Sequence, residues 1–92
     1  MEPSAVYADP EMKRLYWHSR RGMLELDLLL IPFASTQLAS LDVEQIELYR
    51  DFLVEEDQDL FVWLINREEA PTPELRKVVA LVLDYNASTA RV

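Results

Sequence analysis

Arg21-Gly22-Met23-Leu24-Glu25, followed by Leu26-Asp27, places a guanidinium, two carboxylates and the only glycine of 92 residues within seven positions. A guanidinium and a carboxylate this close can make charge-assisted hydrogen bonds to a partner surface. The glycine supplies positive φ or lets a partner's backbone approach. A plainer account uses the same residues: positions 21 and 25 are four apart, so an exposed ion pair worth about 0.3–0.5 kcal/mol explains the charges, and helix punctuation explains Gly22. Against it, Arg before Glu is the weaker order for such a pair, and a glycine between them weakens a helix. On these residues alone, punctuation is the favoured reading.

Catalysis has little support elsewhere. His18 and Ser19 are adjacent, so on a helix they point in different directions and do not form a base and nucleophile pair. The acids of 55–59 lack the order and central glycine of a calcium loop, and with no cysteine and one histidine a zinc or haem site is not expected. We expect no catalytic residue, no metal and no tightly held cofactor. Most aromatic residues at helical spacing fill a core. Trp17 and Trp63 are the exceptions to watch: each lies off the apolar stripe of its own helix, and one or both are candidates for partial exposure at an interface, where tryptophan is a frequent hot spot.

A net charge of −8 and an isoelectric point near 4.5 oppose nucleic-acid binding, which depends on neutralising phosphate, and disfavour an anionic membrane surface. Residues 9–21 carry four Lys/Arg against two Asp/Glu, whereas 42–59 carry eight acids against Arg50 alone. This suggests one basic and one acidic pole. The acidic run reads first as a solvated face and second as a surface that steers a basic partner.

The elements that must position these residues are helical. Asp9-Pro10 is a cap followed by proline at the first helical position, with Met12, Leu15, Tyr16 and Ser19 on one face and Gly22 as the end, Arg20 and Arg21 in the last turn. From Met23 to about Gln37 the chain is apolar almost all round, so it belongs at the centre, kinked near its end by Pro32. Its first residues alternate like a strand, but no second strand is present to pair with it. A third helix starts at Asp42 with a capping box to Gln45 and the stripe Ile46, Tyr49, Phe52, Leu53. A fourth begins near Asp57, buries Leu60, Phe61, Leu64 and Ile65, and breaks at Ala70-Pro71. Thr72-Pro73 opens the last, with Leu75, Val78, Val79, Val82 and Tyr85. The expected fold is all-α: a small single-domain five-helix bundle over 1–92, with an ordered core at about 9–86 and flexible ends.

Arg21-Gly22-x-x-Glu25 with Leu26-Asp27 also resembles the signature of the SdhE family, small factors that promote covalent FAD attachment to the flavoprotein subunit of succinate dehydrogenase or fumarate reductase. Met23, Pro32-Phe33, Ser40-Leu41, Asp59-Leu60-Phe61, Trp63-Leu64 and Asn66 extend the resemblance over roughly 12–85, and Leu24 departs from it at a position often basic in bacterial members. The resemblance implies a helical binding module that holds its client while the client's own histidine is joined to the flavin. It further implies Arg21, Gly22 and Glu25 as the surface that meets the client near the flavin, with Asp27, Trp17 and Trp63 as further candidates. FAD would belong to the client. The first residues, Met1-Glu2-Pro3-Ser4-Ala5, have neither signal-peptide nor mitochondrial presequence character, and no apolar run reaches the ~18 residues of a membrane span. We therefore expect a monomeric cytoplasmic protein of bacterial type. The competing class is a small acidic regulator, an antitoxin-like homodimer whose apolar stripes continue across its interface.

Overall fold

Asp9 caps the first helix through its side chain, which accepts from the Glu11 N–H at 2.7 Å, and Pro10 takes the first helical position. In the computed structural model, which describes residues 8–89, α1 spans Pro10–Ser19. The remaining helices are α2 Leu24–Gln37, α3 Val43–Phe52, α4 Asp57–Leu64 and α5 Pro73–Thr89, with a short 3-10 turn at Leu38–Ser40. The all-α expectation holds, and helix accounts for well over half of the described residues. The reading of Met1-Glu2-Pro3-Ser4-Ala5 lies outside the described residues, and so does part of the expectation of flexible ends. At the C-terminal side, α5 extends past 86 to Thr89.

The alternating start of α2 is helical: of its leucines Leu26 turns into the core, while Leu24 and Leu28 fall on the outer face. Leu26, Leu30, Phe33 and Ala34 are buried on one stripe, and α2 touches α1, α4 and α5. Pro32 lies inside the helix without ending it; Ser35 and Thr36 hydroxyls both donate to the Pro32 carbonyl. The central position holds for one face only. Leu24 and Leu28 remain 68% and 62% exposed, since a helix has one face to give the core.

Asp42 forms the expected capping box: its carboxylate accepts from the Gln45 N–H at 2.8 Å while the Gln45 side chain accepts from the Asp42 N–H at 3.0 Å. All four stripe residues of α3 are buried. Tyr49 and Phe33 meet at 5.4 Å between ring centroids. The Ser19 hydroxyl donates to the Leu15 carbonyl and is 2.5 Å from the Tyr49 hydroxyl, joining α1 to α3 inside the core.

Three boundaries or burials differ from expectation. α1 ends at Ser19, so Arg20 and Arg21 lie beyond its last turn; Arg20 is already extended. α4 buries Leu60, Trp63 and Leu64 and leaves Phe61 and Ile65 half-buried. It stops at Leu64 rather than at Ala70-Pro71, where Asn66 and the left-handed Arg67 (φ 63°) turn the chain without glycine.

Candidate functional site

Residues 20–23 link α1 to α2, and the chain must reverse within them. Gly22 does so at φ +84°, with nothing within 4 Å of where a Cβ would stand. The glycine is therefore required by conformation and not by neighbouring atoms, and its surface is open. Asp27 closes the turn from the other side, its carboxylate accepting from the Arg21 N–H at 2.8 Å.

The Arg21 side chain turns inward, only 15% exposed. Nε donates to the Asp57 carboxylate at 2.7 Å, Nη1 to the carbonyls of His18 and Leu53 at 3.0 and 2.9 Å, and Nη2 to the Glu55 carbonyl at 2.9 Å. Four of the five guanidinium N–H groups are thus committed, two of them to the segment that joins α3 to α4 and one to Asp57 at the first position of α4. Glu25 does not pair with Arg21. They are not on one helix, because α2 begins at Leu24. Glu25 occupies the first turn of α2, where a carboxylate suits the helix dipole, and is exposed with no ion-pair partner among the described residues.

Exposed apolar side chains occur on both helices that this link joins. Leu24 and Leu28 share the outward side of α2, and Trp17, 51% exposed, projects from α1 with the Arg20 guanidinium 5.1 Å from its ring centroid. Trp63 differs from its twin: it is 7% exposed and packs on Phe52 at 6.3 Å, so it is a core residue. The structure therefore groups Gly22, Glu25 and the Asp27-closed turn at one link, places Trp17 on the preceding helix, and puts Trp63 inside. Sequence reasoning missed two things. Leu24 and Leu28 were readable as an excess of apolar positions over one buried face, whereas Asp57, 36 positions from Arg21, gave no local signal.

The expected charge poles also meet in space. Arg21 pairs with Asp57, and Arg50, the one base of the acidic run, forms an ion pair with Glu11 of the basic run. Ser19 is fully buried, whereas the adjacent His18 is exposed, so the two neighbours point to different environments.

A compact helical body with an arginine-braced, glycine-turned link is the class these features define. Residues 13–86 match the family described as the flavinator of succinate dehydrogenase. Over 76 residues the chain is 50% identical to the FAD assembly factor SdhE of Pseudomonas aeruginosa, covering 83% of this chain and 90% of that one. It is 40% identical over 72 residues to the FAD assembly factor SdhE of Legionella pneumophila, covering 78% and 90%, and 36% identical over 73 residues to that of Idiomarina loihiensis, covering 79% and 81%. The chain belongs to this family of FAD assembly factors.

Proposed function

We propose that this chain binds the flavoprotein subunit of succinate dehydrogenase while its FAD is still non-covalent, and promotes attachment of the flavin to the client's own histidine. Fumarate reductase, whose flavoprotein undergoes the same chemistry, is a second client. The observation that carries the reading is the exposed Glu25, without an ion-pair partner among the described residues, three positions after the open Gly22 turn and on one helix with the exposed Leu24 and Leu28; exposed Trp17 lies on the preceding helix. A carboxylate in that setting offers a charge-assisted hydrogen bond, and the apolar side chains offer area that is removed from water on binding. The bundle holds the client and contributes no reacting group; FAD stays with the client, and the factor acts as a monomer.

The test is in-gel flavin fluorescence of the client subunit with the parent protein and with Glu25→Ala. Removing Glu25 forfeits only its place in the first turn of α2, about 0.3–1 kcal/mol, so the fold should persist. Covalent flavin should be lost or strongly slowed. Undiminished labelling by a folded Glu25→Ala protein defeats the site.

A further inference from the structure

Arg21 is drawn into the body of the protein, so its part in the motif must be played through something other than a free guanidinium. The two turns it joins are far apart in sequence. On one side its own backbone N–H is held by Asp27 and Gly22 follows at positive φ; on the other its side chain grips the carbonyls of Leu53 and Glu55 and the carboxylate of Asp57. Asp57 is the only charged acceptor in that set, 37% exposed at the first position of α4, and its bond to Nε is the shortest of the guanidinium's four. A planar fork with several fixed acceptors has one orientation, which in turn fixes where the backbone of residue 21 can stand.

We infer that Asp57 and Arg21 are a positioning pair for the proposed client contact. They lock the link between α1 and α2 so that Gly22 presents an open backbone and Glu25 points outward, and Arg21 acts on the client through that turn rather than by touching it. Asp57 thereby joins the functional set although it stands outside the motif. This rests on the client reading above, and it adds a residue that the reading does not require.

The experiment compares Asp57→Ala, Asp57→Asn, Arg21→Ala and the double variant Arg21→Ala/Asp57→Ala in full-length protein. Affinity for the FAD-loaded, not yet covalently modified flavoprotein subunit is measured well below each melting temperature, beside in-gel flavin fluorescence. Residues in one hydrogen-bonded network are energetically coupled, so each Ala variant should weaken client binding by about tenfold, with the double variant no weaker than Arg21→Ala alone. Asp57→Asn keeps an oxygen acceptor for Nε and should recover most of the loss. Amide resonances of Gly22 and Glu25 should move in Asp57→Ala while those of Val78 and Val82 in α5 stay, which a general loss of stability does not produce. Parent-like binding by Asp57→Ala beside a defective Arg21→Ala overturns the pair, because Arg21 would then be acting by direct contact; so does full additivity of the two losses. Glu25→Ala separates this from the underlying reading. Normal flavin attachment by that variant removes the patch itself, whereas a defective Glu25→Ala beside a normal Asp57→Ala removes only the positioning role.

Discussion

Gly22 and Glu25 behave as different kinds of residue, and substitutions should separate them. At Gly22 the backbone is left-handed and the space beside it is empty, so a side chain meets a conformational penalty and no clash. Gly22→Ala should destabilise by about 1–2 kcal/mol, read by thermal or urea unfolding, while Gly22→Asn, whose side chain tolerates this region, should lose less. If the open turn is where the client approaches, the Asn variant should fold and yet fail in flavin attachment. A folded Gly22→Asn protein with normal attachment leaves Gly22 as a turn residue only. In the core the Tyr49 hydroxyl lies 2.5 Å from the Ser19 hydroxyl, which already donates to the Leu15 carbonyl, so Tyr49 is the donor between them. Tyr49→Phe should therefore weaken the fold by about 1 kcal/mol, a fall in melting temperature of about 4–8 °C for a domain of this size, with flavin attachment unchanged at lower temperature.

At the scale of elements, α2 has two jobs on opposite faces. Leu26, Leu30, Phe33 and Ala34 hold it between α1, α4 and α5, while Leu24 and Leu28 stay outside. Leu30→Ala should open a cavity and destabilise by about 2–5 kcal/mol, enough to compromise a small domain as a whole. Leu28→Ala should leave unfolding nearly unchanged, within about 0.5 kcal/mol, but weaken client binding. Equal effects of Leu28→Ala and Leu30→Ala on unfolding would show that the outer face is structural after all. The end of α4 at Asn66 and Arg67, and not at Ala70-Pro71, follows from the same logic of elements. Ala70 is buried and its carbonyl accepts from the Arg76 guanidinium, so the segment before Pro71 is packed as a connector against α5 rather than continued as helix.

Across the whole molecule the excess of acid remains, but it is not segregated as the sequence order suggests, because Arg21 and Arg50 carry ion pairs between the basic and acidic runs. Steering by the remaining surface charge should act on the rate of encounter with a client more than on final affinity, screened over about 8 Å at physiological salt. Stopped-flow association measured from low to high salt should show the rate falling as salt rises. A rate independent of salt leaves the acidic surface a determinant of solubility alone. Sedimentation of the isolated protein should give a monomer, and a stable dimer that takes up no flavoprotein would instead favour the acidic-regulator reading.

Periodicity by itself located the five helices, and caps determined the starts of three of them, because Asp9-Pro10, Asp42 with Gln45, and Thr72-Pro73 satisfy backbone groups within three or four residues, and such bonds are written locally. The apolar stripes of α1, α3 and α5 were legible for the same reason. The motif residues were legible as well, and so was the need for positive φ at Gly22. What those residues do to one another was not. Four positions of separation suggested a pair between Arg21 and Glu25, yet the start of α2 falls between them, and the guanidinium finds its partners at Leu53, Glu55 and Asp57. Likewise, two tryptophans equally off their helical stripes part ways, Trp17 outward and Trp63 inward, because exposure depends on which neighbour covers a face. Local bonds fix where helices begin; only the packing of distant segments decides which charges meet and which side chains remain for a partner.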